Sequence, residues 1–322
     1  MKRDQQPIPE TMLEAARQFA DPQAAHDFWV ELRWPGGVVA CPLDCGSVKV
    51  AYMPKRRRWY CNDCKGQFTA KVGTIFEDSP IGFDKWLPAM WLIASNRNGI
   101  SSYELARGIK VTQRTAWFML HRIREAMRSG EFRQFTGIVE ADETFIGGMY
   151  ENKPLKVRRV TSPRAWRDTG AKTAVFGMIE RPKDGRKGEV RAMTVPSVQK
   201  DTLLPILRRH VHHDATVHTD SAKAYQRMDE FFLYHATVNH TVEYVRGSVH
   251  TNTIENFWSV LKRTLGGTYI SVRPKHLDRY LDEQICRFNA REQKDGPRFA
   301  DVVKRADGRR LTWKRLTDKA RR

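Results

Sequence analysis

Apolar positions along the chain change period several times, and each change marks an element. Leu13, Ala16 and Phe19, then Phe28 and Leu32, recur at helical spacing; Asp21-Pro22 interrupts the run and Pro35-Gly36-Gly37 closes it. Val48 to Tyr60 suits a small antiparallel ribbon around the basic turn Lys55-Arg56-Arg57-Arg58, whose tip is available to phosphates. Trp86, Leu87, Met90, Trp91 and Ile93 stripe a helix between Phe83 and Ala94. Ser101-Ser102-Tyr103-Glu104 reads as a capping box, and Leu105, Ala106 and Ile109 follow it inward. After a turn at 108–112, Ala116, Met119, Leu120, Ile123 and Met127 stripe a second helix, with Arg114, Arg122, Arg124 and Arg128 on its other sides. Two short helices joined by a turn, the second basic, predict a helix-turn-helix; the plainer alternative is a helical hairpin with a solvated basic face.

From Gly137 the pattern turns to strands. Ile138, Val139, Ala141, Phe145 and Ile146 suit a buried strand ended by Gly147-Gly148. Residues 172–180 and 189–195 read as two more, making three consecutive antiparallel strands. A helix over 202–211, a strand over 215–219, a short helix over 223–228, a strand over 234–239 and a helix from 251 complete the order. Three antiparallel strands extended by parallel ones through crossover helices predict an α/β ribonuclease-H-like sheet. Leu277, Tyr280, Leu281, Ile285 and Phe288 stripe a further helix over 275–289 that contains Cys286, expected as a core thiol.

Charge decides the class of partner. The 322 residues carry 56 Lys and Arg against 37 Asp and Glu, a net +19, which points to a polyanion. No apolar run approaches a membrane span and the N-terminus lacks an apolar signal core, so a soluble protein with double-stranded DNA as partner, and no membrane, is expected. The connector 152–172 holds Arg158 and Arg159 among seven basic residues and is long for a turn. It reads either as a solvated loop or as a segment ordered on nucleic acid. Arg114, Arg122, Arg158 and Arg159 are the candidate DNA contacts.

Four of the five cysteines cluster: Cys41 and Cys45, then Cys61 and Cys64. Two close pairs flanking a ribbon suit one structural Zn2+ held by four thiolates, with disulfides or free thiols as the alternative. The first pair is spaced C-x3-C, so its knuckle must be the wider.

Glu140, Asp142 and Glu143 interrupt the apolar strand. Carboxylates planted in a sheet are costly unless charge or hydrogen bonds compensate; solvated acids on an edge strand are the alternative. Alternation sends Glu140 and Asp142 to one face and Glu143 to the other. Asp220 ends the fourth strand at the edge where α/β sheets bind ligands, and would meet Asp142 if that strand lies beside the first. Glu255 opens the helix TNTIENFWSVLKR at the margin of its apolar face, and Lys262 follows two turns on. Each has a plain alternative: Asp220 as a helix cap, Glu255 as a first-turn acid. Asn252 and Asn256 are alternatives for the third ligand, His250 an auxiliary group, and the histidines between 210 and 250 a separate metal site. Three converging acids would hold two Mg2+ (or Mn2+) ions suited to phosphodiester chemistry.

The runs VEADETFIGG, HTDSAKAY and HTNTIENFWSVLKR resemble the DDE-type transposases of the bacterial insertion sequences grouped as IS1595, or ISXO2-like; RWPGGVVACPLDCGS with CNDCKGQFT resembles that family's zinc ribbon, and TAWFMLHRIR its helix-turn-helix. The resemblance covers residues 20 to 292. It implies an acidic triad of Asp142, Asp220 and Glu255, the last two 35 positions apart, and metal-dependent cleavage and strand transfer at terminal inverted repeats; Lys262, read from helix spacing alone, is the candidate phosphate contact beside Glu255. It implies a cytoplasmic, nucleoid-associated enzyme, and pairing two ends implies a homo-oligomer on DNA. The expected domains are an N-terminal helical segment (1–36), the zinc ribbon (37–80), the helix-turn-helix (81–132), the catalytic domain (133–292) and a basic tail (293–322). A non-catalytic regulator derived from a transposase, or a nuclease on the same fold such as a junction resolvase, are the competing functions.

Overall fold

Helical stripes and a cysteine-pinned ribbon build one of two units into which the chain divides, Met1–Arg128 with Glu292–Arg322; strands dominate the other, Ser129–Arg291. The structure is a computed structural model that describes residues 6–130, 133–147, 172–182, 185, 187–220, 223–226, 228–238 and 249–317. In the first unit α1 (Met12–Phe19) is capped by Thr11. The Asp21-Pro22 break starts α2 (Pro22–Arg33), with Asp21 accepting from the amides of Gln23 and Ala24 and proline in the first turn. Strands β1 (Val50–Met53), β2 (Arg58–Cys61) and β3 (Gln67–Phe68) form an antiparallel sheet in that order. Three helices follow: α3 (Phe83–Ser95), α4 (Ser102–Ile109) and α5 (Gln113–Met127). The Ser101–Glu104 capping box is present, and Thr112 caps α5. The segments expected as separate domains share one core. Trp29 of α2 donates its indole N–H to Ala70 O (2.7 Å) and packs edge-on against Phe76, which also meets Trp86.

In the second unit β4 (Ile138–Ile146), β5 (Thr173–Glu180), β6 (Glu189–Val195), β7 (Thr216–Asp220) and β8 (Tyr234–Val238) make one sheet, ordered β6-β5-β4-β7-β8. The first three pair antiparallel; β4–β7 and β7–β8 pair parallel. Strand alternation separates two cores. Val139, Ala141, Phe176 and Met178 cluster with Leu203 and Leu207 of α6 (Lys200–His210). Val175 and Ile179 cluster on the other side with Ile254, Phe257 and Trp258 of α7 (Asn252–Gly267) and with Leu281 of α8 (Leu277–Asn289). Cys286 is buried in α8, as expected of a core thiol. Where a short helix was expected over 223–228, the described residues form two single 3-10 turns, Lys223–Tyr225 and Met228–Glu230.

Residues 293–317 of the stretch expected as a basic tail are folded: they form α9 (Asp295–Lys304) and α10 (Trp313–Thr317) and belong to the first unit. Phe299 is fully buried, with ring centroids 5.8 Å from Phe19, 6.1 Å from Phe28 and 5.2 Å from Trp91. Arg309 donates to the carbonyls of Ala126 (3.3 Å) and Arg128 (2.7 Å), capping the C-terminus of α5 with a cation where the helix dipole favours one. Leu311 and Leu316 are buried as well. High Lys and Arg density masks an apolar stripe spaced for helices. Phe299→Ala should therefore cost about 3–5 kcal/mol in denaturant unfolding; a solvated appendage would lose less than about 0.5 kcal/mol.

Candidate functional site

Glu140 and Asp142, two residues apart on β4, face α7. Glu140 is fully buried. Its carboxylate accepts from Arg181 Nε (2.6 Å), from the Thr253 hydroxyl (2.8 Å) and from the backbone N–H groups of Thr253 (2.9 Å) and Ile254 (3.0 Å). Those two amides are in the first turn of α7, whose own cap residue Thr251 makes no side-chain capping bond. A strand carboxylate thus caps the helix from outside it, where two free amides and the helix dipole favour a negative charge. Arg181 continues the network to His250, donating to its carbonyl (2.9 Å) and lying 2.8 Å from its Nδ1. His250 is thereby tied to Glu140 and Arg181.

One turn into the capped helix, Trp258 donates its indole N–H to Asp142 Oδ2 (2.9 Å). The indole lies against Gly177, Asp142's partner in the β4–β5 ladder; a Cβ at 177 would come within 2.5 Å of the ring. Burial pushes the Asp142 carboxyl up to about 6, and the charges of Asp220 and Glu255 push in the same direction against the Trp258 bond. The three acids therefore share one electrostatic environment. The β4–β7 register explains the approach of Asp220. Glu140 pairs with His218, so Asp142 and Asp220 both lie two residues further on, just past the end of the shared ladder. Glu255 is exposed in the first turn of α7, its Oε1 accepting from the Thr251 hydroxyl (3.0 Å). Asn252 and Asn256 are also exposed. Lys262 is exposed on α7, about 10 Å along the axis from Glu255.

Glu143 points to the opposite face, where the buried Tyr225 hydroxyl donates to its carboxylate. Burial pushes Glu143 up to about 7, with the charges of Asp142 and Asp220 adding to it. The acids are not closed into a single ligand sphere. Among the described residues, three or more ligand atoms lie within 4.8 Å of one another only in the four-cysteine group and in His212, His213 and Asp214. The histidine group is largely exposed, and its side chains already pair locally, His213 with Asp214 at 3.0 Å.

The cysteines do converge. Cys41 Sγ lies 3.8 Å from Cys64 Sγ, and Cys45 Sγ 3.6 Å from Cys61 Sγ, too far for disulfides and close to the roughly 3.8 Å edge of a tetrahedral zinc–thiolate site. The wider first knuckle is turned by positive φ at Asp44 (60°) and Gly46 (61°), the second by Lys65 (60°). Backbone N–H groups of Cys64 and Asp63 draw the Cys61 thiol down to about 6, while burial pushes Cys41 up to about 12. Four sulfurs with this spacing fit a closed structural zinc site.

The candidate DNA contacts divide. Arg114 is exposed near the start of α5, its guanidinium 4.5 Å above the Trp313 ring. Arg122 is a correction: it is only 4% exposed, donates to Glu77 O and sits over Phe118 (5.2 Å), so it serves the core. The side of α5 that periodicity leaves polar is covered by the Glu77 loop. Arg158 and Arg159 lie outside the described residues. Glu140, Arg181, Trp258 and Gly177 were not singled out by sequence reasoning as site residues. The mid-strand glycine and the acid two before Asp142 were the available signals.

Residues 134–289 match the ISXO2-like transposase domain, and residues 21–67 match the transposase zinc-ribbon domain. A protein of Halobacterium salinarum, described as an uncharacterized protein in transposable element ISH50, is 26% identical over 257 residues, covering 77% of this chain and 85% of the relative. An uncharacterized transposase-like protein of Haemophilus influenzae is 36% identical over 108 residues, 34% of this chain and 87% of that one.

Removing the cap should show its weight. Glu140→Ala leaves Arg181 and two helix amides without their acceptor and should cost about 3–5 kcal/mol; Glu140→Gln, which keeps one acceptor, should cost less. Gly177→Ala should cost about 1–3 kcal/mol by forcing Trp258 off the sheet. Chemical denaturation followed by tryptophan fluorescence measures all three, and neutral results would remove the positioning role given to α7.

Proposed function

The chain belongs to the ISXO2-like (IS1595) family of transposases, and we propose that it binds the ends of an insertion sequence and cuts and joins DNA strands through Asp142, Asp220 and Glu255. The single observation that carries this reading is the level placement of Asp142 and Asp220 just past the shared ladder of β4 and β7, beside the Glu255-bearing helix that Glu140 holds in place. The sheet order supports a ribonuclease-H-like catalytic domain. The α4–turn–α5 hairpin supports a helix-turn-helix, with Arg114 near the start of the second helix, where that motif meets base edges.

An excess of carboxylates around a half-buried acid suits hard divalent cations, and the open spread of the trio suits two ions rather than one closed site. When bound, Mg2+ or Mn2+ would activate the attacking oxygen and stabilise the leaving one. Asp220 and Glu255 would hold the ions, together with Asp142. Its proton must leave first, which the acid's raised affinity for protons makes easy only above about pH 6. Lys262, exposed further along α7, is read as a contact to a phosphate of the bound strand. Two subunits would bring two ends together.

Asp142→Asn tests this. It should abolish Mn2+-dependent nicking of duplexes carrying the inverted repeats that flank the gene, by at least about 1000-fold, and leave gel-shift binding of the same duplex intact. Retained nicking overturns the assignment. A second measurement needs no activity. Because Asp142 binds its proton more tightly when folded, its contribution to stability is full below about pH 4 and is lost as pH rises through about 6. Near pH 7 without metal, Asp142→Asn should therefore raise unfolding stability by on the order of 2 kcal/mol, and the gain should vanish at low pH.

A further inference from the structure

The acid site leaves unused the basic turn of the ribbon, and that turn does not stand alone. Arg56, Arg57 and Arg58, all exposed, line a cleft of about 510 Å3 together with His26 of α2, Lys71 after β3 and the start of α3 at Gly82–Asp84. The whole cleft belongs to the first unit. Its acids are mostly spoken for: Glu77 and Asp78 also line it, but both pair with Arg310, at 3.2 and 2.6 Å. Asp84 is the acid that remains. Among the described residues Arg56, Arg57 and Arg58 make no ion pair, while Lys71 feels the charge of Asp84. Lys71 spends two of its three N–H bonds on the carbonyls of Ser79 (2.9 Å) and Ile81 (2.6 Å).

His26 gives the cleft its chemical meaning. Its side chain is 8% exposed, and Nε2 is buried with no hydrogen-bond partner. Nδ1 lies 3.2 Å from Asp27 Oδ1. Burial is the largest influence lowering the basicity of the ring; Asp27 opposes it, and the charges of Arg57 and Lys71 lower it further. Two cations thus press on an imidazole that has a carboxylate at Nδ1 and no hydrogen-bond partner at its buried Nε2. An anion beside the ring would relieve both charges, and with Asp27 accepting from Nδ1–H it would favour a second proton on the ring, at Nε2, which could then donate to the anion.

We propose that this cleft anchors one backbone phosphate of bound DNA between Arg57, Lys71 and His26. The inference rests on the DNA-binding reading above and assigns it a point of attachment. A DNA strand is favoured over a free anion because the cleft is much larger than a phosphate ion and has three exposed arginines at consecutive positions along it.

Fluorescence anisotropy with a labelled duplex, across a salt series, tests the assignment on the full zinc-loaded chain. Arg57 sits at φ 47°, a conformation asparagine tolerates, so Arg57→Asn preserves the turn. It should weaken binding about tenfold and reduce the slope of log affinity against log salt by about 1. Arg17→Gln, an exposed basic residue on α1 outside the cleft, should change neither. In the wild type, duplex binding should shift the His26 imidazole nitrogens toward their protonated NMR values. Equal losses from the two variants, or an unchanged His26, would overturn the anchor and leave diffuse attraction. Phosphorus NMR in which inorganic phosphate binds the wild type but not Arg57→Asn, while duplex affinity is equal in both, would make the cleft a free-anion site and also overturn it. No duplex binding by the wild type would instead overturn the DNA reading itself.

Discussion

The second unit depends on one buried carboxylate. Glu140 has no exposed surface, and leaving it unpaired there would cost several kcal/mol. Four donors prevent that: one guanidinium nitrogen, one hydroxyl and two helix amides. The same bonds fix where α7 begins and how it is rotated about its axis. A hydrophobic face alone would seat the helix on the sheet but would tolerate sliding. Two amides locked to one carboxylate do not. From that fixed start, Trp258 reaches Asp142 and Glu255 comes to bear on the same acid. A structural acid two residues upstream therefore sets the position of the candidate chemical one.

Strand alternation explains how one short segment does both tasks. Val139 and Ala141 fill the core on the α6 side while Glu140 and Asp142 meet α7 on the other. Glu143, one step on, returns to the first side and is held by Tyr225. Three acids in four positions thus divide into a helix cap, a candidate ligand and a buried partner of a tyrosine. The division costs stability at the middle one. Asp142 is held where its charge is disfavoured by burial and by two neighbouring acids, the environment expected of a group whose compensation arrives with a ligand rather than from the fold.

Much of this was legible in the chain. The strand pattern and its order needed only period and turn signals, and the sheet follows them because its two cores require that alternation. The cysteine spacing announced the cluster, and the positive φ at Asp44 and Gly46 shows how a three-residue gap still turns back on itself. What periodicity could not show was which partner each polar residue finds. Glu140 and Asp142 look alike in sequence, and only the position of α7's first turn separates them. Gly177 carries no side chain to signal that an indole rests on it. Density of Lys and Arg made residues 293–317 read as a tail, and the burial of Phe299 among them depends on Phe19, Phe28 and Trp91, far earlier in the chain.

Net charge has the same limit as a guide to surface. The chain's +19 counts every arginine alike, yet Arg122 is buried beneath a loop, Arg287 is buried against Glu283 and Gln284, and Arg33 is held to Asp307 at 3.0 Å. These groups tie helices together through flat, multiply donating heads and apolar stems. Arg56, Arg57 and Arg58 differ in being exposed, at consecutive positions, and in lining a cleft with a histidine whose Nε2 has no partner. A polyanion responds to charge that is free to meet it. What distinguishes a binding surface here is therefore not where basic residues are most numerous, but where their charge has been left uncompensated by the fold.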